Sequence, residues 1–266
     1  MKFEFDGFTF QMDKGCVNDA LLIVVSGSHA YGWNTPQSDL DVRRVFFPDI
    51  QQALSVFYGC RTKEHKHKYE RGLVETTDYP IQAFLRLLAK GNGNALDNLF
   101  EATGPPDPKL HVDTVKVKQL QKIVLSHLHL GFLMHCTGYD IHLKKDLENE
   151  RRLIQYGEVK LLLNRYKILL EGLILANYGE VVYNLKKQHE YIKTNWCIEL
   201  LDTYQAGQPF LGLRANQEVF REVEQLHGRL AATIQTIKWP AQHQSTIDLA
   251  LDKWLIEHYV PQSKQK

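Results

Sequence analysis

One stretch constrains the fold more than any other. Five consecutive apolar β-formers, Leu21-Leu22-Ile23-Val24-Val25, run directly into Ser26-Gly27. An unbroken apolar run of that length, closed by glycine, reads as a buried strand. The flanking sequence supplies further strands. Phe3 and Phe5, then Phe8 and Phe10, alternate around Asp6-Gly7 and predict a β-hairpin over Lys2 to Met12. Leu40, Val42 and Val45-Phe46-Phe47 predict a second core strand, and Leu73 to Tyr79 a third. Strand side chains repeat every two residues, so Asp39 and Asp41 are expected on one side, and Glu75, Thr77 and Tyr79 on one face.

From Pro80 the period changes. Ile81, Phe84, Leu85 and Leu88 recur at helical spacing, with Gly91 as the stop, and Asn94 to Phe100 reads as a second short helix. Gly104-Pro105-Pro106-Asp107-Pro108 is the clearest linker. Beyond it Gly and Pro thin out, and helices are expected over 114–125, 129–150, 157–177, 188–205, 217–238 and 246–258. No internal repeat or low-complexity tract is visible. The pattern predicts an α+β chain: a catalytic domain over residues 1–104, built on a small mixed sheet with flanking helices, then an all-helical domain over 105–266.

Composition narrows the function classes. A hydrophobic share of 44% with 24% charged residues is ordinary for a soluble domain, and a formal net charge of +1 advertises no polyanionic partner. Any nucleic-acid surface has to be a local patch. Cys16, Cys60, Cys136 and Cys197 form no CxxC pair, which argues against a zinc ribbon or a disulfide framework. No apolar run is long enough to span a membrane. The N-terminal residues are rich in acids and lack a signal-peptide core. A cytoplasmic location is expected; oligomeric state is not legible.

Chemistry concentrates between Gly27 and Arg43. Glycine lets a backbone approach phosphates closely, successive N–H groups in a tight turn bind anions, and the Ser28 hydroxyl adds a hydrogen bond. Asp39 and Asp41, at i and i+2, offer two carboxylates to one space, and hard divalent cations prefer such oxygens. Two like charges so close are unfavourable without cations nearby. Ten residues separate Ser28 from Asp39, room for a helical turn or a loop.

Gly27-Ser28-His29-Ala30-Tyr31-Gly32, followed by Pro36-Gln37-Ser38-Asp39-Leu40-Asp41-Val42-Arg43, resembles the GSxAYG…PxSDxDxR signature. That signature marks nucleotidyltransferases of the DNA-polymerase-beta superfamily associated with RNA repair. The resemblance is contiguous over 17 residues and looser as far as Phe100. It implies a polymerase-beta-like core, a Gly27-Ser28 turn on a nucleoside triphosphate, and a metal pair at Asp39 and Asp41. It also implies a third carboxylate on a later strand before a helix, often the general base toward the acceptor hydroxyl. Counting back from the Phe84 to Leu88 helix matches this acid to Glu75; Asp78 is the competitor, on the opposite face. Two departures stand out. Arg44 occupies a position where glycine is expected, with a changed strand end or an added phosphate contact as the consequence. Glutamate at 75 is one methylene longer than the family's aspartate.

Other features are weaker. Arg61 to Arg71, RTKEHKHKYER, holds five Lys or Arg and two Glu, and reads as a loop, either solvated or contacting phosphates of nucleotide or RNA. His65 and His67 alone make a poor metal motif. Arg43 shares the strand face of Asp41 and either takes a phosphate oxygen or pairs with the carboxylates. His29 and Tyr31 stand next to Ser28, either against the nucleotide or packed. Lys160, in the helical domain, is the candidate triphosphate contact there, although helix charges such as Lys116, Arg165 and Lys167 are usually solvated surface.

Together these readings predict a phosphorus-group transferase. It would move NMP from an NTP, ATP or CTP, to a hydroxyl, and the resemblance implies an RNA 3′ end (transfer RNA among the candidates) as acceptor. Asp39, Asp41 and Glu75 would act in catalysis and metal binding, with Gly27, Ser28, Arg43 and Lys160 on the nucleotide. Two magnesium ions are expected, manganese being the alternative. Other readings are transfer to a protein or small molecule, and a nucleotide sensor without catalysis.

Overall fold

The computed structural model describes residues 1–12, 14–55, 61–69, 71–102, 109–127, 130–208, 213–237 and 243–259. In chain order these are β1 (Lys2–Phe5), β2 (Phe8–Gln11), α1 (Lys14–Asn18), β3 (Ala20–Ser26), α2 (Gly27–Tyr31), β4 (Leu40–Phe46), α3 (Ile50–Leu54), β5 (Lys63–Lys68), β6 (Leu73–Pro80), α4 (Ile81–Ala89), α5 (Gly93–Glu101), β7 (Lys109–Val112) and α6 (Thr114–Ser126). There follow α7 (Leu130–Leu147), α8 (Glu150–Tyr156), α9 (Glu158–Tyr178), α10 (Leu185–Tyr191), α11 (Cys197–Gln205), α12 (Leu213–Thr236) and α13 (His243–Tyr259). The fold is mixed α/β, a small mixed sheet with flanking helices and a helix-rich C-terminal half.

Contacts divide the chain into two compact units. The first holds Met1–Ala30, Gln37–Leu128 and Pro240–Lys266; the second holds Tyr31–Pro36 and His129–Trp239. The contact division therefore does not fall at 104/105: β7, α6 and α13 all lie in the first unit. The expected Gly104–Pro108 linker lies outside the described residues, as does Cys60.

In the first unit a five-stranded sheet has the order β5-β6-β4-β3-β7. β3 is antiparallel to β4 and β7, β5 is antiparallel to β6, and β4 and β6 run parallel. β3 is buried along its whole length, which is why it carries no polar residue before Ser26. The β1–β2 hairpin turns at Asp6 (φ 45°) and Gly7 (φ 77°), the left-handed pair that a two-residue hairpin loop requires. Its Phe3, Phe8 and Phe10 cover one sheet face, packing with Ile23, Val25, Leu40, Val42 and Val74. On β4 and β6 the alternate residues Asp41, Arg43, Glu75 and Thr77 therefore belong to the other face. α5 packs on β3 and α4 on β6.

The second unit is built around α9, which packs against α7, α8, α10, α11 and α12. Most of α9 is buried, including Arg165 and Lys167. Their charges are not solvated, contrary to the expectation from the sequence. Arg165 donates to both oxygens of Asp140, at 2.7 and 3.0 Å, and to Glu224 at 2.8 Å. Lys167 pairs with buried Glu171 at 2.8 Å and lies 4.5 Å from the Tyr31 ring centroid.

Three further corrections concern local structure. The basic run 61–71 is not a loop, because residues 63–68 form β5, paired along its length with β6. The helix expected over 188–205 is two helices, α10 and α11, and the one over 129–150 ends at Leu147 before α8 begins. β7 was not anticipated.

Candidate active site

The buried β3 delivers the chain to Gly27, which stands at φ 66° and opens α2. A Cβ built on Gly27 falls 2.3 Å from Asp41 Oδ2. The glycine is therefore required twice, by its backbone and by a carboxylate pressed against it. Ser26 is the register partner of Asp41 across the antiparallel β3–β4 pair. Its buried hydroxyl donates to Asn98 Oδ1 at 3.0 Å and reaches Glu101 at 3.5 Å, fixing the strand end to α5. Asp97, Asn98 and Glu101 are all buried. These α5 residues were missed from sequence; the signal was three polar residues on a helix too short and apolar to expose them all.

Asp41 and Glu75 are register neighbours on the parallel strands β4 and β6. Paired strands lie about 4.8 Å apart, so both carboxylates rise from one patch of the sheet face. Asp39 is exposed and sits immediately before β4 rather than within it. Burial pushes the Asp41 carboxyl above its usual range, against the opposing pull of Arg43, and the charges of Glu75 and Asp39 push it further upward. Three carboxylates thus act on one another here.

Two cationic side chains offset that charge. Arg43 donates to Asp41 Oδ1 at 2.9 Å and to Thr77 Oγ1 at 3.0 Å. Lys66, from β5, donates to Glu75 at 2.5 Å. Glu75 first, and then the acids Glu64 and Asp39, hold the Lys66 ammonium above its ordinary pKa against a small opposing effect of burial. Lys66 was not singled out from sequence, because it became a site residue only when the basic run proved to be a strand beside β6. An oxygen-only set at Asp41, Glu75 and Asp39 has the chemistry a hard divalent cation takes. Among the described residues, however, no group of three or more His, Cys, Asp or Glu is gathered around one point. Asp41 faces Arg43 and Glu75 faces Lys66, so a cation would exchange places with these two groups.

Asp78 is engaged elsewhere. Arg44, itself buried, donates to Asp78 at 2.8 Å and to Asp19 at 2.9 Å, and its guanidinium lies 4.2 Å from the Phe46 ring centroid. The arginine standing where the signature expects glycine is an internal strut tying β4 to β6. His29 is also packed: buried under the hairpin, edge-on to Phe5 and Phe8, with Nδ1 3.1 Å from Asp6. Burial lowers its pKa. Tyr31 packs edge-on against Trp33 in the second unit. Lys160 lies half-buried on α9, also in that unit.

The family described as "RNA repair pathway DNA polymerase beta family" matches residues 12–136. Over these residues the chain is similar to nucleotidyltransferases of the polymerase-beta type. The matched residues contain Gly27, Asp41 and Glu75 together with β7 and α6. A solved structure, that of a nucleotidyltransferase-like protein from Exiguobacterium sibiricum 255-15, is similar at 14% identity over 90% of this chain and 73% of that one, with a TM-score of 0.30. No curated protein matches. No helix among the described residues is long and apolar enough to cross a membrane.

Proposed function

We propose that the protein transfers a nucleoside monophosphate from a nucleoside triphosphate to a hydroxyl acceptor, releasing pyrophosphate. The observation that carries this reading is the in-register pair Asp41 and Glu75, with Gly27 pressed against Asp41. Gly27 and Ser28 take the triphosphate, where backbone N–H groups meet phosphate oxygens without a side chain in the way. Arg43 releases Asp41 and turns a planar fork of donors to a phosphate. Lys160 adds a cationic contact from α9. Asp39 and Asp41 would hold two divalent ions, magnesium or manganese, with Glu75 as third ligand. When bound, such ions would supply activation of the attacking oxygen and neutralisation of charge on the leaving pyrophosphate. Glu75, freed from Lys66, would accept the proton of the acceptor hydroxyl.

The donor is ATP or CTP, and the acceptor an RNA 3′ end, transfer RNA being one candidate; RNA follows the family description, and the finer choices follow the signature resemblance and not a residue. The test is incubation with each α-labelled triphosphate, magnesium, total RNA and a protein extract. Label in RNA supports the reading as a whole. Label in protein or a small metabolite keeps the chemistry and replaces the acceptor. Metal-dependent triphosphate binding without pyrophosphate release would make the protein a nucleotide sensor and overturn the proposal.

A further inference from the structure

The chain's net charge is only +1, yet one edge of its catalytic sheet is strongly basic. β5 is the edge strand next to β6, and all six of its residues, Lys63 to Lys68, are exposed. Its two faces differ. Glu64, Lys66 and Lys68 alternate on the face that carries Glu75, where Lys66 is the register partner of Glu75 itself. His65 and His67 stand on the other face with their rings nearly parallel, 6.5 Å apart and 15° between planes, and Tyr69 continues the row at 6.5 Å. Among the described residues, Arg61, Lys63 and Lys68 meet no carboxylate, whereas Arg71 at the end of the run turns away to Asp6 and the Phe8 ring.

Cations that meet no carboxylate among the described residues, interleaved with exposed flat rings, are the two components of surfaces that hold single-stranded nucleic acid: phosphates meet the charges and bases stack on the rings. Alternate residues along a strand recur about every 6.7 Å, which is the spacing of this ring row. A duplex offers no free base faces to such a row. We propose that the β5 edge, whose Lys66 is the register partner of Glu75, is a docking strip for single-stranded nucleic acid. Arg61, Lys63 and Lys68 bind phosphates, and His65 and His67 stack bases. What happens at Glu75 rests on the nucleotidyl-transfer reading; binding along the strip does not. Lysines on edge strands also prevent sheet-to-sheet association, and the experiment separates the two roles.

The full-length protein is titrated into a short fluorescein-labelled single-stranded RNA of mixed sequence, over a range of salt. The comparison set is R61A/K63A/K68A and H65A/H67A, both leaving Lys66 in place. Each is first checked by thermal melting, and its magnesium-dependent triphosphate binding is measured by calorimetry. Each phosphate contact to a single strand contributes about 0.7 to the slope of log affinity against log salt, so the triple variant should flatten that slope by about 2. Its affinity at low salt should fall by about tenfold or more. H65A/H67A should weaken binding with the slope unchanged. Triphosphate binding should be unaltered in both. Equal RNA affinity in wild type and the triple variant overturns the proposal, and so does equal affinity accompanied by new self-association, which would assign the lysines to edge protection. Triphosphate binding without RNA binding in the wild type overturns it too. RNA binding through the strip without triphosphate binding would instead leave the strip standing and remove the nucleotidyl-transfer reading.

Discussion

Gly27→Ala is the substitution whose consequences follow most directly from the geometry. At φ 66° an alanine is strained, and left-handed backbone costs an L-residue about 1–2 kcal/mol. The new methyl would also stand 2.3 Å from Asp41 Oδ2, 3.1 Å from Cγ and 3.3 Å from Cβ. Ordinary contact begins near 3.4 Å, so the carboxylate has to retreat by about 1 Å. A displacement of about 1 Å in a catalytic group costs roughly 100-fold in rate. Gly157→Ala is the matched control: φ is 78° and nothing lies within 4 Å of the added carbon. Both variants should lose about 1–2 kcal/mol, lowering the melting temperature by about 2–4 °C per kcal/mol. Only G27A should lose label incorporation, by about 100-fold, with turnover falling more than triphosphate affinity. If G27A and G157A incorporate label equally fast, Asp41 is not held in a reactive position by its contact with Gly27, and the proposed site is wrong.

Other consequences lie outside the site. Gly172→Ala should destabilise by about 1–3 kcal/mol in urea unfolding, although alanine normally helps a helix interior, because its methyl meets Leu230 at 2.8 Å and Cys136 at 3.2 Å; a stabilised variant would refute that packing. Asp140→Ala removes two of the three carboxylate oxygens that accept from Arg165, leaving Glu224, and removes a contact to His227 Nδ1 at 2.9 Å. Leaving that guanidinium buried should cost about 3–5 kcal/mol, and D140A/R165M should be more stable than D140A alone. Burial pushes the Cys197 thiol up to about 12, so thiolate is scarce at pH 8. Alkylation of Cys197 should be slow in the native protein and fast in denaturant; rapid native labelling would contradict the packing around α11.

Much of the fold was legible because the strongest signals were local. The continuous apolar run gave β3, the aromatic alternation around Asp6-Gly7 gave the hairpin, and the change of period at Pro80 gave α4. What the sequence hid was pairing at a distance. An exposed strand such as β5 has no apolar face to alternate, so Lys63 to Lys68 read as a solvated loop until β6 is set beside it. β7 is a short strand lying just beyond a run of prolines, and only its contact with β3 reveals it. The site shows the same limit. Gly27, Asp41 and Arg43 lie within one 17-residue segment, but the expectation of Glu75 over Asp78 rests on face. Parallel register puts Glu75 beside Asp41 and gives Asp78 to Arg44. Asn98 and Glu101, which secure the end of β3 through Ser26, lie more than seventy residues away in sequence.

The central claim is that the carboxylates of the Gly27–Arg43 segment carry metal-assisted nucleotidyl transfer. Incorporation of α-labelled triphosphate into total RNA by the wild type and by D39N/D41N, with magnesium present and the two proteins matched in melting behaviour, tests it most directly. The account predicts loss of incorporation in the variant with the fold retained. Full incorporation by D39N/D41N would contradict it.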